Sequence, residues 1–136
     1  MKRILVGVDG SAEAKAAAEF AAGQLQPGGQ LVLAYFVHPP VVEEPMAMGP
    51  AAQQLRDYGK GLLRELAARC VRPGVAVETA LRDGAPAAGL ADLAAEIDAD
   101  LVVVGHRGLG AVQRFFIGSV AERLIRLSAK PVLVYR

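Results

Sequence analysis

Gly105-His106-Arg107-Gly108-Leu109-Gly110-Ala111-Val112-Gln113-Arg114-Phe115-Phe116-Ile117-Gly118-Ser119 is the stretch on which the reading of this chain turns. It follows Leu101-Val102-Val103-Val104, an apolar run with the look of a buried strand, and precedes Val120 to Leu127, whose pattern is helical. Glycines therefore stand where a strand ends, and Gly118-Ser119 where a helix begins. The first N–H groups of a helix lack intrahelical partners and sit at the positive end of its dipole, so an anion is stabilised there. Glycine also lets a ligand approach the backbone closely. The stretch reads as a phosphate cradle. Ser119 and Glu122 also have the spacing of a capping box, a purely structural use of the same residues.

Working outward, the chain of 136 residues is long enough for one ordinary domain, 1–136, with a core of Val, Leu and Ala: 53% of residues are hydrophobic and only 5% aromatic. Lys+Arg 15 against Asp+Glu 14 leaves a formal +1, which gives no footprint for nucleic acid or an anionic membrane. No apolar run approaches membrane-spanning length, and Met1-Lys2-Arg3 leads directly into a strand-like segment, so a cytoplasmic protein is expected. The single Cys70 reads as a buried small hydrophobe on a helix face.

Before the central stretch, Ile4 to Val8 is a continuous apolar run suited to a strand covered on both faces, ending in Asp9-Gly10-Ser11. Ser11 is placed to cap an Ala-rich helix over about Ala12 to Leu25, which Pro27-Gly28-Gly29 breaks. Leu31 to Val37 is the second strand. The four prolines from Pro39 to Pro50 leave little room for regular structure and read as a long loop. A helix follows over Ala51 to Val71, with Leu55, Tyr58, Leu62, Leu66 and Cys70 as its buried stripe. Val75 to Leu81 alternates with Ala76, Glu78 and Ala80, the pattern of a peripheral strand. Pro86 opens a helix running to about Ile97, and Pro131 to Tyr135 forms a last strand.

The order βαβαβαβαβ gives an α/β fold, a doubly wound parallel sheet with right-handed crossovers. Two strand orders suit five strands, 3-2-1-4-5 and 2-1-3-4-5. The peripheral third strand favours 3-2-1-4-5, a Rossmann-like sheet with four helices. Its order reverses between strands one and four, so Val8-Asp9-Gly10-Ser11 and Gly105 meet at the crevice where such sheets bind ligands. In that order the last strand is an edge, yet Val132, Leu133 and Val134 are apolar and uncharged, which predicts a homodimer paired along it.

Other chemistries lack their residues. A P-loop needs a lysine, and none stands between Gly105 and Ser119. The glycine spacing is not G-x-G-x-x-G, and no G-x-S-x-G elbow surrounds any serine. An enzyme using the crevice would have to take its base from Asp9, His38 or His106, and His106 reads as an ordinary solvated loop residue. Arg107 and Arg114 are available to brace phosphates, though loop arginines are commonly only solvated.

The spacing Gly105-x2-Gly108-x9-Gly118-Ser119 resembles the nucleotide-binding signature of the universal stress protein family, G-x2-G-x9-G-[ST]. Ile4 to Ser11 is similar to that family's first strand and turn, and Gly118 through Val134 to its last helix and strand. The resemblance implies the same 3-2-1-4-5 sheet, a dimer through the last strand, and ATP as ligand, accompanied by a divalent ion such as magnesium. It implies that Asp9 contacts the ribose or base and that Val37 meets adenine through its backbone. Gly105 and Gly108 would let the chain pass close to ribose and phosphates, and Gly118, Ser119 and Val120 would offer N–H groups and a hydroxyl to the phosphates. The function expected is that of a stress-response or regulatory nucleotide-binding protein with slow or no hydrolysis. The alternatives are a true ATP hydrolase or transferase, and a partner-binding dimer whose pocket is empty or takes cyclic AMP.

Overall fold

A computed structural model describes residues 1–38, 48–106 and 118–136, with the side chains of 48–50 left outside the description. The described residues form β1 (Arg3–Gly7), α1 (Ala12–Gln24), β2 (Gln30–Val37), α2 (Met48–Arg69), β3 (Ala76–Asp83), α3 (Pro86–Glu96), β4 (Leu101–Gly105), α4 (Ser119–Leu127) and β5 (Val132–Tyr135). The strands form one sheet in the order β3-β2-β1-β4-β5, every neighbouring pair parallel. This is the expected 3-2-1-4-5 arrangement.

The continuous apolar runs follow from two-sided burial. Side chains alternate across a strand, so Ile4, Val6, Leu31, Leu33, Leu101 and Val103 pack under α1 and α2, while Leu5, Val32, Ala34, Val102 and Val104 pack under α3 and α4. Both layers are needed because the inner strands carry apolar side chains on both faces along Ile4–Val6, Leu31–Ala34 and Leu101–Val104. β3 behaves differently because it is an edge: Val77 and Leu81 pack toward the α1/α2 layer, whereas Glu78 and Thr79 are exposed. Cys70 is fully buried, and burial is the main cause pushing its thiol pKa up, which suits an inert packing residue.

At the lower end of the sheet, Asp100 holds the start of β1. Its Oδ2 accepts the N–H groups of Lys2 at 2.7 Å and Arg3 at 2.9 Å. Those two bonds, Arg3's first, hold the Asp100 carboxyl below the usual carboxylate range.

Two expectations change. α2 begins at Met48, three residues before the predicted start, with Pro50 inside its first turn. A proline there loses nothing, since its missing N–H has no intrahelical acceptor anyway. Tyr58 does not belong to the buried stripe of α2; it is 47% exposed, while Leu62, Leu66 and Cys70 are buried as predicted and Leu63 joins them.

Candidate functional site

β1 and β4 run side by side through Ile4↔Leu101, Leu5↔Val102 and Val6↔Val103, and then part. The chain after β1 enters α1 on one face of the sheet, and the chain after β4 enters α4 on the other. The crevice of a doubly wound sheet opens at such a point, beyond the carboxyl ends of the strands.

One wall is the β1–α1 turn. Val8 keeps β1 attached to β2 for one residue more, its N–H donating to the Ala34 carbonyl at 2.9 Å. Asp9 then folds the turn on itself: its Oδ1 accepts the Ser11 N–H at 2.9 Å. Gly10 adopts φ +87, a conformation that an L side chain resists. Ser11 is buried and caps α1, its Oγ accepting the Ala14 N–H at 3.1 Å. Its role is thus to hold the helix start, which in turn fixes where the Asp9 carboxylate stands.

The other wall is the end of β4. A Cβ built on Gly105 would lie 3.0 Å from the Glu13 Cβ and 3.1 Å from the Ala14 nitrogen. The end of β4 therefore lies against the first turn of α1, and Gly105 is brought close to the Asp9-Gly10-Ser11 segment. His106 donates its N–H to the Tyr135 carbonyl at 2.6 Å, and its own carbonyl accepts the Gly118 N–H at 2.7 Å. The start of α4 is thereby pinned directly beyond β4. His106 itself is only 9% exposed, in contrast to the solvated loop residue expected, and its backbone bonds both to β5 and to the start of α4.

The capping of α4 also differs from expectation. Gly118, not Ser119, is the N-cap, at φ −61 and ψ 156, with no side-chain cap bond. The bond to His106 sets the cap position one residue earlier than the Ser119/Glu122 box requires. Glu122 instead pairs with Arg126 at 2.9 Å. Ser119 is exposed in the first turn, and its N–H, with those of Val120 and Ala121, has no acceptor inside the helix.

Val37 is buried at the end of β2, and its carbonyl accepts the Gly84 N–H at 2.9 Å. In a parallel sheet the backbone groups of successive residues turn to opposite neighbours. Ala34 bonds toward β1 and Val37 toward β3, so the backbone of Phe36 turns toward the β1 side, past the point where β1 has left the ladder. Nothing in the sequence reveals that parity, which is a property of the register. Arg107 and Gly108, together with Gly110, Arg114 and the proline-rich residues 39–47, lie outside the described residues. Among the described residues no cluster of three or more His, Cys, Asp or Glu is arranged to hold a metal ion. No helix among them is long and apolar enough to cross a membrane.

The sequence profile of the universal stress protein family matches residues 1–136. A Thermus aquaticus protein described as the universal stress protein in the QAH/OAS sulfhydrylase 3′ region is 34% identical over 139 residues, spanning 99% of this chain and 98% of its own. Among solved structures, universal stress protein UspA from Lactobacillus plantarum superposes with a TM-score of 0.86 at 24% identity, over 99% of this chain and 97% of that one. A universal stress protein solved in complex with cAMP is 28% identical, with a TM-score of 0.69 over 99% of this chain and 96% of that one.

Proposed function

The chain belongs to the universal stress protein family, and from that premise we propose that residues 1–136 act as a single nucleotide-binding domain of the ATP-binding branch, a cytoplasmic regulatory protein of the stress response. The observation that carries this reading is the bond from Gly118 to His106 at 2.7 Å, which aims the N-terminus of α4 into the crevice beside Gly105. In this reading Gly118, Ser119 and Val120 hold the phosphates with backbone N–H groups and the Ser119 hydroxyl. Asp9, held by the Ser11 N–H, takes the ribose or base, and Val8 and Gly10 shape the turn beneath it. Gly105 lets the chain pass close to the ligand, and the wider G-x2-G-x9-G-S signature brings in Arg107 and Gly108. At the β2 end, the backbone turned toward the crevice is that of Phe36, next to Val37.

In this reading magnesium would come as a companion of the triphosphate, held mainly through phosphate oxygens. When bound it would neutralise phosphate charge; the chain's own contribution is to bind and orient. Hydrolysis is slow or absent in this reading, because the residues assigned to the site position phosphates and supply no placed base. The relative solved with cAMP supports adenine nucleotides as the ligand class and makes cyclic AMP the second candidate. A homodimer through Val132, Leu133 and Val134 suits a β5 whose residues are all half-buried, beside an α4 that leaves Ile125 and Leu127 about half exposed.

The test begins with denaturing the purified protein and identifying any released nucleotide by ion-exchange chromatography, followed by calorimetric titration with ATP, ADP and cyclic AMP. Gly118→Val places a branched side chain at the mouth of the cradle without straining the backbone, since φ −61 and ψ 156 suit any residue. We expect it to weaken ATP binding by about a hundredfold or more, a loss of roughly 2.7 kcal/mol, in a protein that still melts cooperatively. Unaltered affinity would sink the assignment of the loop. Light scattering of Leu133→Asp should report half the mass of wild type.

A further inference from the structure

Tyr58 is the residue of this site that no motif contains. It stands on α2, is 47% exposed, and lies over the β1–α1 turn: a Cβ built on Gly10 would fall 1.9 Å from the Tyr58 hydroxyl oxygen. Its ring also meets Tyr35 of β2, edge to face, with centroids 5.9 Å apart. Tyr58 thus touches the turn after β1 and the strand β2 at once. It closes, on the α2 face, the gap that opens between them once β1 has left the ladder at Val8.

The position is built, not accidental. Gly59 brings α2 close to the sheet here, since a Cβ on it would lie 2.4 Å from Tyr35 Cδ1 and 2.9 Å from Leu81 Cδ1. Tyr35 and Leu81 are paired, two residues short of the ends of β2 and β3. Measured back from Gly59, the earlier turns of α2 rise roughly 10 Å beyond the strand ends at 1.5 Å per helical residue. Tyr58, the neighbour of Gly59, therefore stands near the level of Tyr35, just past the end of β1 at Gly7, with the Gly10 turn against its hydroxyl. Burial first, then the charges of Tyr58 and Asp9, raise the pKa of Tyr35.

Resting on the nucleotide reading above, we propose that Tyr58 forms the α2-side wall of the crevice and contacts the nucleoside end of the ligand, with its aromatic ring against a purine base or its ribose. The Phe36 backbone flanks the same gap from β2, and Gly118 to Val120 serve the phosphate end. A contact at the nucleoside end has a signature that a general structural role lacks. Its loss costs ATP, ADP and AMP the same factor, because all three share the nucleoside.

Tyr58→Ala is expected to weaken all three about tenfold by calorimetry, about 1.4 kcal/mol, whereas Tyr58→Phe, which keeps the ring, stays within about threefold of wild type. The penalty of Gly118→Val should instead grow with the number of phosphates. The chain contains no Trp, so Tyr58→Trp supplies a single reporter that can be excited to the red of adenine, and its emission should change when AMP is added. Binding that Tyr58→Ala leaves unchanged, a penalty that grows with phosphate number, or a silent reporter in a variant that still binds AMP overturns the assignment of Tyr58 while leaving the nucleotide site intact. A wild-type protein that binds no adenine nucleotide overturns both.

Discussion

The β1–α1 and β4–α4 turns occupy equivalent places in the fold, each leading from the end of a central strand into a helix, yet they are built in opposite ways. The first is short and closed by its own side chains: Asp9 accepts from Ser11, and Ser11 accepts from Ala14. The second begins and ends on a backbone bond, His106 to Gly118, and hands over to α4 through a glycine with no side chain to cap it. A capped N-terminus has met part of its need for an acceptor; a glycine-capped one leaves that need for water or a ligand. The pair teaches that one helix start is closed by its own side chains while the other is left without a side-chain cap.

The strongest way to break this contrast is to make the same substitution in both turns. Gly10→Val must carry a branched side chain at φ +87 and displace the Tyr58 hydroxyl, so it should lose about 2 kcal/mol of stability in denaturant unfolding. Gly118→Val, at an ordinary φ, should lose less than about 1 kcal/mol, the effect of a poor N-cap. Equal losses would show that the two glycines are not doing different jobs.

The next contrast is between the serines. Ser11→Ala removes a cap that is made, and should cost about 1 kcal/mol. Ser119→Ala, in the first turn but outside the cap position, should leave the melting temperature within a degree or two by the same reckoning and lower nucleotide affinity instead.

The smallest effect lies at the far end of the same two strands, where Asp100 ties β4 to the start of β1. Its carboxyl pKa is lowered in the fold, so its contribution is complete above the unfolded carboxylate value of about 3.9 and disappears as pH falls through the lower folded value. Asp100→Asn should therefore flatten the acid limb of stability below about pH 4 and change little at neutral pH. An unchanged acid limb would mean that these bonds bring no net stabilisation.

Much of this architecture could be read before any coordinates. Continuous apolar runs at Ile4–Val6, Leu31–Val37 and Leu101–Val104 mean two-sided burial, and the alternation of Val75 to Leu81 means an edge; together they select one strand order, because hydrophobic periodicity reports directly which faces meet water. The glycine spacing is also plain in the sequence, but of its members only Gly105 and Gly118 lie among the described residues. Tyr58 departs from its helical pattern for a physical reason. Helical spacing says which face a residue shares, not what that face meets, and Tyr58 lies over the turn that follows the shorter strand β1 rather than over the sheet. His106 departs from the usual wet loop residue, and its backbone joins two elements that lie far along the chain.

The sequence by itself determined the layers, the strand order and where glycine interrupts them, because these depend on side-chain periodicity and local backbone freedom. Only the tertiary structure decided that Gly118 rather than Ser119 caps α4, that the Phe36 backbone turns toward the crevice while Val37 is spent on Gly84, and that Tyr58 reaches Gly10. Each of these depends on register or on a bond between segments far apart in the chain, and neither is written in the order of residues.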